Sequence, residues 1–211
     1  MNNSFISKVY QWLCIGLVIT FGCGYLLSIN TSLLETLFNI YHLLAIAEVV
    51  VGFVFILAIN KLSDTLAKIL YCSYAALTGV TFGAVFLVYD VASIMYVFLA
   101  TAIIFAIMSF VGKNIKANLS GIATFLAVAL LGMIVLSIIN IFVANQALDL
   151  TIAFVVLIIF IAYIMIDINR IYKKDTNGLS EKHAVYWAFQ LYLDIINIIL
   201  ELLRLFGKSR D

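Results

Sequence analysis

The amino-acid sequence predicts an all-α integral membrane protein with seven transmembrane helices. Of its 211 residues, 65% are hydrophobic and only 11% are charged, and a soluble domain of this length could not bury so much apolar surface. The apolar residues form runs of about 20, the length of helix that crosses a hydrocarbon core about 30 Å thick. The chain contains no proline, so the commonest helix breaker interrupts none of these runs.

The seven runs follow one another with short connections, and they predict a single domain over residues 1–211. No small-residue cleavage site follows the first run, so we expect a retained span and not a signal peptide. The third run contains Gly79 and Gly83, a spacing that lets two helices approach closely. The predicted spans lie at about 9–29, 40–59, 66–89, 91–112, 119–144, 150–172 and 184–206.

The basic residues predict the orientation of these spans. They precede the first span and occupy the connections after the second, fourth and sixth spans, at Lys8, Lys61, Lys68, Lys113, Lys116, Arg170, Lys173, Lys174 and Lys182. Because cytoplasmic connections are enriched in Lys and Arg, we expect a cytoplasmic N-terminus. The tail is the exception, since its basic residues lie outside if the last segment crosses fully. A full crossing is favoured by the unbroken helical run, and re-entry of the last segment is the alternative.

A polar stripe runs along the last span. Its members recur at steps of three and four residues, which stacks them on one helical face: Gln190, Asp194, Asn197, Glu201, Arg204 and Lys208. A carboxyl group near mid-membrane, as predicted for Asp194, costs about 2.5–3.5 kcal/mol on insertion scales. The stripe therefore indicates the lining of a polar pathway inside a helical bundle.

Two other carboxyl groups lie inside predicted spans, Glu48 in the second and Asp167 in the sixth. Structural alternatives exist for each acid. Asp167 is one turn from Arg170 and is placed to form an ion pair, Asp194 is a candidate for a core hydrogen bond, and Glu48 fits structure or pathway equally. For Glu201, the favoured interpretation is an ion pair with Arg204 near the membrane surface.

Asp167 and Asp194 are expected to meet. A short connection joins the sixth and seventh spans, so these spans run antiparallel, and the two carboxyl groups lie at overlapping depths. In a low dielectric they cannot both ionise cheaply, so we expect two coupled titration steps and a proton shared between them.

The sequence lacks the parts of an enzyme. It contains no hydrolase elbow, zinc-protease motif or phosphate loop, and neither aspartate has the Gly-x-Gly-Asp context of an intramembrane protease. The three cysteines have no metal-ligand spacing, and we expect no tightly bound cofactor and no nucleic-acid partner. Carboxylate and amide oxygens instead suit weak, transient calcium sites. We expect calcium at Asp167, Asp194 and Glu48, along a pathway lined by Glu48, Gln190, Asn197 and Glu201.

The chain also resembles the Bax inhibitor-1 family over essentially its whole length. The segments that carry the resemblance are Lys8-Val9-Tyr10, Tyr74-Ala75-Ala76-Leu77-Thr78-Gly79, Ser137-Ile138-Ile139-Asn140, Leu191-Tyr192-Leu193-Asp194-Ile195-Ile196-Asn197 and Leu202-Leu203-Arg204-Leu205-Phe206-Gly207. The resemblance implies six helices wrapped around a central C-terminal helix, in a bacterial inner membrane. It also implies a passive calcium leak that responds to pH, with a paired-aspartate sensor at Asp167 and Asp194. Bacterial members can latch the first of these aspartates with an arginine near the end of the second span, where this chain has Lys61, so Lys61 and Arg170 are the candidate latch residues.

Two functions of other classes compete with a leak channel. One is a non-conducting adaptor that regulates other membrane proteins, such as a membrane protease. The other is a proton-coupled cation antiporter that uses the same carboxylates in alternation. Calcium flux into liposomes separates the adaptor from the channel, and an imposed proton gradient separates the antiporter.

Overall fold

A computed structural model describes residues 3–174 and 178–210, so part of the predicted cytoplasmic connection at 173–182 lies outside the described residues. The secondary-structure elements of the described residues are all helices, which confirms the all-α class. The helices are α1 (Asn3–Ser28), α2 (Thr31–Asn39), α3 (Tyr41–Ala58), α4 (Asp64–Val88), α5 (Val91–Asn114), α6 (Ser120–Val143), α7 (Gln146–Lys173) and α8 (Glu181–Phe206).

Five of these helices, α1 and α4 to α7, are long and apolar enough to cross a membrane by length and composition. The apolar part of α3 is shorter and spans Ile46–Ala58. α8, which carries the polar stripe, has 26 residues and is not among these five helices. The sequence did not predict α2, which occupies the connection after the first span. The Asn30 side chain accepts a hydrogen bond from the Leu33 N–H at 3.3 Å, a cap that starts a helix there.

The contacts of the chain form two compact units, and the first contains the described residues of 1–90, 175–192 and 209–211. Its closest packing joins α1 and α4. A Cβ atom added to Gly79 would lie 2.6 Å from the Cβ of Cys23, and one added to Gly24 would lie 2.8 Å from the Cβ of Phe82. The small residues predicted on the third span therefore act as a packing face.

The first half of α8 is enclosed by aromatic rings of this first unit. Phe189 lies 4.7 Å from Phe55 and 4.9 Å from Tyr74, between ring centroids. Tyr192 lies 5.8 Å from Tyr71 and 6.1 Å from Tyr74. Phe189 and Tyr192 are fully buried, so this half of α8 is a core element and not a surface helix.

The beginning of α8 and the tail after it lie at opposite ends of α4. The Lys182 ammonium group donates to the carbonyl oxygens of Asn60 and Leu62, at 3.1 and 2.9 Å, just before α4 begins. The Arg210 N–H donates to the Val88 carbonyl oxygen at 2.9 Å, where α4 ends. The 25 residues of α4 span about 37 Å at 1.5 Å per residue. The tail is therefore separated from the start of α8 by the length of a membrane-spanning helix.

The second unit contains the described residues of 91–174 and 193–208, and α7 packs against both α5 and α6. The Asn169 amide donates to the carbonyl oxygens of Gly112 and Ile115 at 2.8 and 2.7 Å. The Lys173 ammonium group donates to those of Lys116 and Ala117 at 3.1 and 2.8 Å. Polar side chains of α7 thus satisfy carbonyl groups in the last turn of α5 and in the connection that follows it.

Candidate functional site

The two most buried carboxyl groups of the described residues, Asp167 and Asp194, lie in the second unit together with Arg170. Asp167 is 3% exposed and Asp194 is 5% exposed. The Arg170 guanidinium donates to Asp167 Oδ1 at 3.1 Å, while its own side chain remains 44% exposed. The structure therefore contains the Asp167–Arg170 ion pair that was one alternative for Asp167, and it places this pair beside a second buried acid.

Asp194 has a different environment from Asp167. Its carboxyl group interacts electrostatically with both Asp167 and Arg170, but its Oδ2 atom is buried without a hydrogen-bond partner. No hydrogen bond between the two carboxyl groups occurs within the described residues, so the shared-proton bridge stays a prediction. An unpaired buried oxygen is costly, and it is the kind of atom that a proton, a water molecule or a cation would satisfy.

Tyr163 completes this cluster on α7. It lies one helical turn before Asp167 and interacts electrostatically with both aspartates. Its hydroxyl group donates to the Ala123 carbonyl oxygen at 3.4 Å. Tyr163, Asp167 and Arg170 therefore share one face of α7, on which Asp167 is buried and Arg170 is exposed.

The rest of the polar stripe on α8 is distributed among several environments. The Gln190 side-chain oxygen is buried without a hydrogen-bond partner, whereas the Asn197 amide donates to the Leu193 carbonyl oxygen at 2.7 Å. Glu201 pairs with Arg204 at 3.4 Å, and Arg204 also forms an ion pair with Asp149 in the first turn of α7. The sequence reasoning missed Asp149. The only sign of this partner in the sequence was a carboxyl group on the side of the membrane where a full crossing of the last span places Arg204.

Glu48 lies in the first unit among hydroxyl groups. The Thr78 hydroxyl donates to Glu48 Oε1 at 2.7 Å, and Tyr74 also hydrogen-bonds to Glu48. The Tyr192 hydroxyl also hydrogen-bonds to Thr78, and it lies 2.6 Å from Thr20 Oγ1. Sequence reasoning did not select Thr20, Thr78 or Tyr192 as functional residues, although Tyr74 and Thr78 share a helical face at a spacing of four.

The candidate latch residue Lys61 is exposed and takes part in none of the ion pairs among the described residues. A different lysine is paired at that end of the first unit. Lys68 Nζ lies 2.6 Å from Glu181 Oε2, and the Trp12 indole N–H donates to Glu181 Oε1 at 3.2 Å. The hydrogen bond from Lys68 holds the pKa of Glu181 below its ordinary value. This ion pair joins the start of α8 to α4.

The described residues contain no group of three or more His, Cys, Asp or Glu side chains that could hold a metal ion. The buried oxygens instead form two small sets, one around Glu48 in the first unit and one around Asp167 and Asp194 in the second. Each set offers one or two carboxyl groups together with neutral oxygens. Such a set is suited to weak contact with a hard cation and not to a tight cage.

Apolar helices around buried carboxyl groups define an all-helical integral membrane protein with an ionisable interior. The chain belongs to the Bax inhibitor-1 family, because the profile of the family described as "Inhibitor of apoptosis-promoting Bax1" matches residues 2–211. This confirms the family to which its motifs pointed.

Bacterial relatives match the chain over almost its full length. An uncharacterized protein of Deinococcus radiodurans is 34% identical over 99% of this chain and 92% of its own length. The inner membrane protein YbhL of Escherichia coli K12 is 32% identical over 99% of this chain and 93% of its own length. An uncharacterized protein of Borreliella burgdorferi is also 32% identical, over 100% of this chain and 94% of its own length.

Proposed function

We propose that this protein is a passive calcium leak channel of a bacterial inner membrane, that protonation of Asp167 and Asp194 regulates it, and that it is not an enzyme. One observation carries the proposal. Two carboxyl groups at 3% and 5% exposure interact in the interior of the second unit, and one oxygen of Asp194 has no partner. Intramembrane acids face a functional pathway by default, because exposure to lipid is so unfavourable.

The proposed arrangement has the N-terminus in the cytoplasm and six helices wrapped around α8. Support for a full crossing by α8 comes from the contacts at its two ends, which lie at opposite ends of α4. Support for an inner-membrane location comes from the family and from the printed name of the relative YbhL.

Regulation by protons follows from the unequal partners of the two aspartates. Arg170 balances the charge of Asp167 through a direct hydrogen bond, whereas Asp194 has no such partner within the described residues. Ionising Asp194 therefore places a second negative charge beside the Asp167–Arg170 ion pair, in which the single positive charge of Arg170 balances only one carboxylate. A proton or a calcium ion would each relieve that repulsion, so the two compete for the same oxygens.

Calcium flux into liposomes tests this function. Purified protein in vesicles loaded with a calcium dye should pass calcium down its gradient, with a rate that depends on pH between about 5 and 8. Asp167→Asn and Asp194→Asn should each flatten that dependence, because one titrating carboxyl group is lost. Asp64→Asn is the matched control, since the Asp64 side chain accepts from the Lys182 N–H at 3.2 Å and asparagine keeps that acceptor.

The possible outcomes separate the three functions. A wild-type pH profile in the double Asp→Asn variant would remove the pair from the mechanism. Absence of calcium flux in the wild-type protein would favour the adaptor. Uphill calcium movement driven by a proton gradient would favour the antiporter, because a passive leak runs only down the calcium gradient.

A further inference from the structure

We propose that Glu48 and Thr78 form a second proton-binding site, in which the Thr78 hydroxyl group donates to the Glu48 carboxylate and accepts from the protonated acid. The site lies in the first unit, whereas Asp167 and Asp194 lie in the second. The role of this site in conduction rests on the proposed function, whereas the test of proton binding at the site does not depend on that function.

The Thr78 hydroxyl group hydrogen-bonds with the phenols of Tyr74 and Tyr192, and it has two acceptors besides them. Its Oγ1 lies 2.7 Å from Glu48 Oε1 and 3.1 Å from the Tyr74 carbonyl oxygen. One hydroxyl group carries one proton, so it serves only one acceptor at a time. With Glu48 ionised, Thr78 donates to Glu48. When a proton binds Glu48, the new O–H donates to Thr78 Oγ1, and the Thr78 proton turns to the Tyr74 carbonyl.

Thr78 shares the Glu48 carboxyl group with Tyr74, whose phenol also hydrogen-bonds to it. The titratable groups that face Glu48 are the phenols of Tyr74 on α4 and Tyr192 on α8, and Glu48 has no cationic partner in the described chain. The Thr20 hydroxyl donates its one proton to the Ala75 carbonyl oxygen at 2.8 Å. In the 2.6 Å hydrogen bond between Thr20 and Tyr192, Tyr192 is therefore the donor. The Tyr192 proton is therefore already used in a hydrogen bond. Thr78 is only 2% exposed, and its hydroxyl group can reorient when Glu48 gains or loses a proton.

Proton exchange at this site requires little movement of the helices. The oxygen–oxygen contact between Glu48 and Thr78 is a hydrogen bond in both protonation states, and only a rotation about the Thr78 Cβ–Oγ bond separates them. Within the described residues no second carboxyl group repels the ionised form, in contrast to the pair at Asp167 and Asp194. The site is therefore suited to exchanging a proton for a passing cation without opening or closing the bundle.

Infrared difference spectroscopy tests the site directly. Protein in liposomes without calcium is titrated between about pH 4 and 9, a range that covers exposed and buried glutamates, while the carbonyl stretch of protonated carboxyl groups is recorded. Glu48→Gln should remove one band from the difference spectrum. Thr78→Val should move that band to higher frequency, because the protonated acid loses its acceptor, and Thr78→Ser should restore the wild-type position.

Thr101→Val is the matched control, because Thr101 is also buried and its hydroxyl group donates to the Val97 carbonyl oxygen of its own helix. An unchanged difference spectrum in Glu48→Gln would overturn the site. An unmoved band in Thr78→Val would overturn the role of Thr78, and loss of the Glu48 band in the double Asp→Asn variant would overturn its independence. Failure of calcium flux leaves these spectra unaffected, so the two proposals fail separately.

Discussion

Gly112 shows how one residue determines the distance between two helices. It is buried on α5 against the backbone of α7, where an added Cβ atom would overlap the Met165 carbonyl group and lie 3.2 Å from the Cβ of Ile168. The backbone at this contact cannot retreat as the end of a flexible side chain would. The absence of a side chain at Gly112 is therefore a condition for the hydrogen bonds of Asn169 to α5.

Gly112→Ala is expected to destabilise the protein by about 1–3 kcal/mol, because overpacking forces the two backbones apart. The matched control is Gly132→Ala on α6, where an added Cβ atom meets nothing within 4 Å and alanine favours the helix by about 0.5–1 kcal/mol. Thermal unfolding in detergent measures both. Equal stability of the two variants would contradict the close contact.

Single residues also show which features of the site could be predicted from the sequence and which could not. The burial of Asp167 and Asp194 follows from the high cost of exposing a carboxyl group to lipid, so it could be predicted without coordinates. The hydroxyl groups around Glu48 could not, because Thr20, Thr78 and Tyr192 come from distant parts of the chain. Nothing local distinguishes these hydroxyl groups from others on the same helices.

At the scale of the element, side chains of α7 donate hydrogen bonds to carbonyl groups at the end of α5 and so join the two helices. Asn169 contributes two hydrogen bonds and is 4% exposed. Asn169 is two residues from Asp167 and binds both the end of α5 and the connection that follows it. The capping contacts thus couple the aspartate cluster to a neighbouring helix end.

Asn169→Ala should cost about 1–3 kcal/mol, since buried carbonyl groups lose their partner. Asn114→Ala is the control, because the exposed Asn114 amide donates to the Phe110 carbonyl oxygen of its own helix. Denaturation by sodium dodecyl sulfate, followed by circular dichroism, compares the two variants. A smaller loss of stability in Asn169→Ala than in Asn114→Ala would be inconsistent with the capping role.

The ion pair at the start of α8 predicts a pH dependence of known sign. Because Lys68 lowers the pKa of folded Glu181, the pair stabilises the fold above the unfolded pKa of about 4.3. That stabilisation is lost as the pH falls through the lower, folded value. Glu181→Gln should remove it, with a loss of at most about 1 kcal/mol near neutral pH, because both side chains are about one-third exposed.

Unfolding temperatures of the wild-type protein and Glu181→Gln, measured from neutral pH into acid, should converge as the pH falls. Lys61→Gln provides the control, since Lys61 is exposed and has no ion-pair partner in the described part of the chain. A constant difference between wild type and Glu181→Gln at all pH values would show that the effect of this substitution is not the ionic pair.

For the whole molecule, the helical class follows from the sequence because lipid leaves backbone groups no partner outside the helix. Runs of apolar residues therefore gave the positions of the long helices. The short helix α2 was missed because its start depends on the Asn30 cap and not on apolar periodicity. The course of α8 also stayed open, since Arg204, Lys208 and Arg210 favour the cytoplasm while the unbroken helical run favours a crossing.

The contacts at the two ends of α8 turn this alternative into a test on the whole molecule. Lys61 lies at the end of α4 where Lys182 is bound, and Ser209 pairs with Tyr89 at the other end. In a variant without the three native cysteines, Lys61→Cys and Ser209→Cys should therefore react with a membrane-impermeant maleimide from opposite sides. We expect Ser209→Cys to be labelled on intact cells and Lys61→Cys only after permeabilisation, because basic connections face the cytoplasm. Labelling of both from the same side would mean that α8 re-enters, and the polar stripe would then not extend across the membrane.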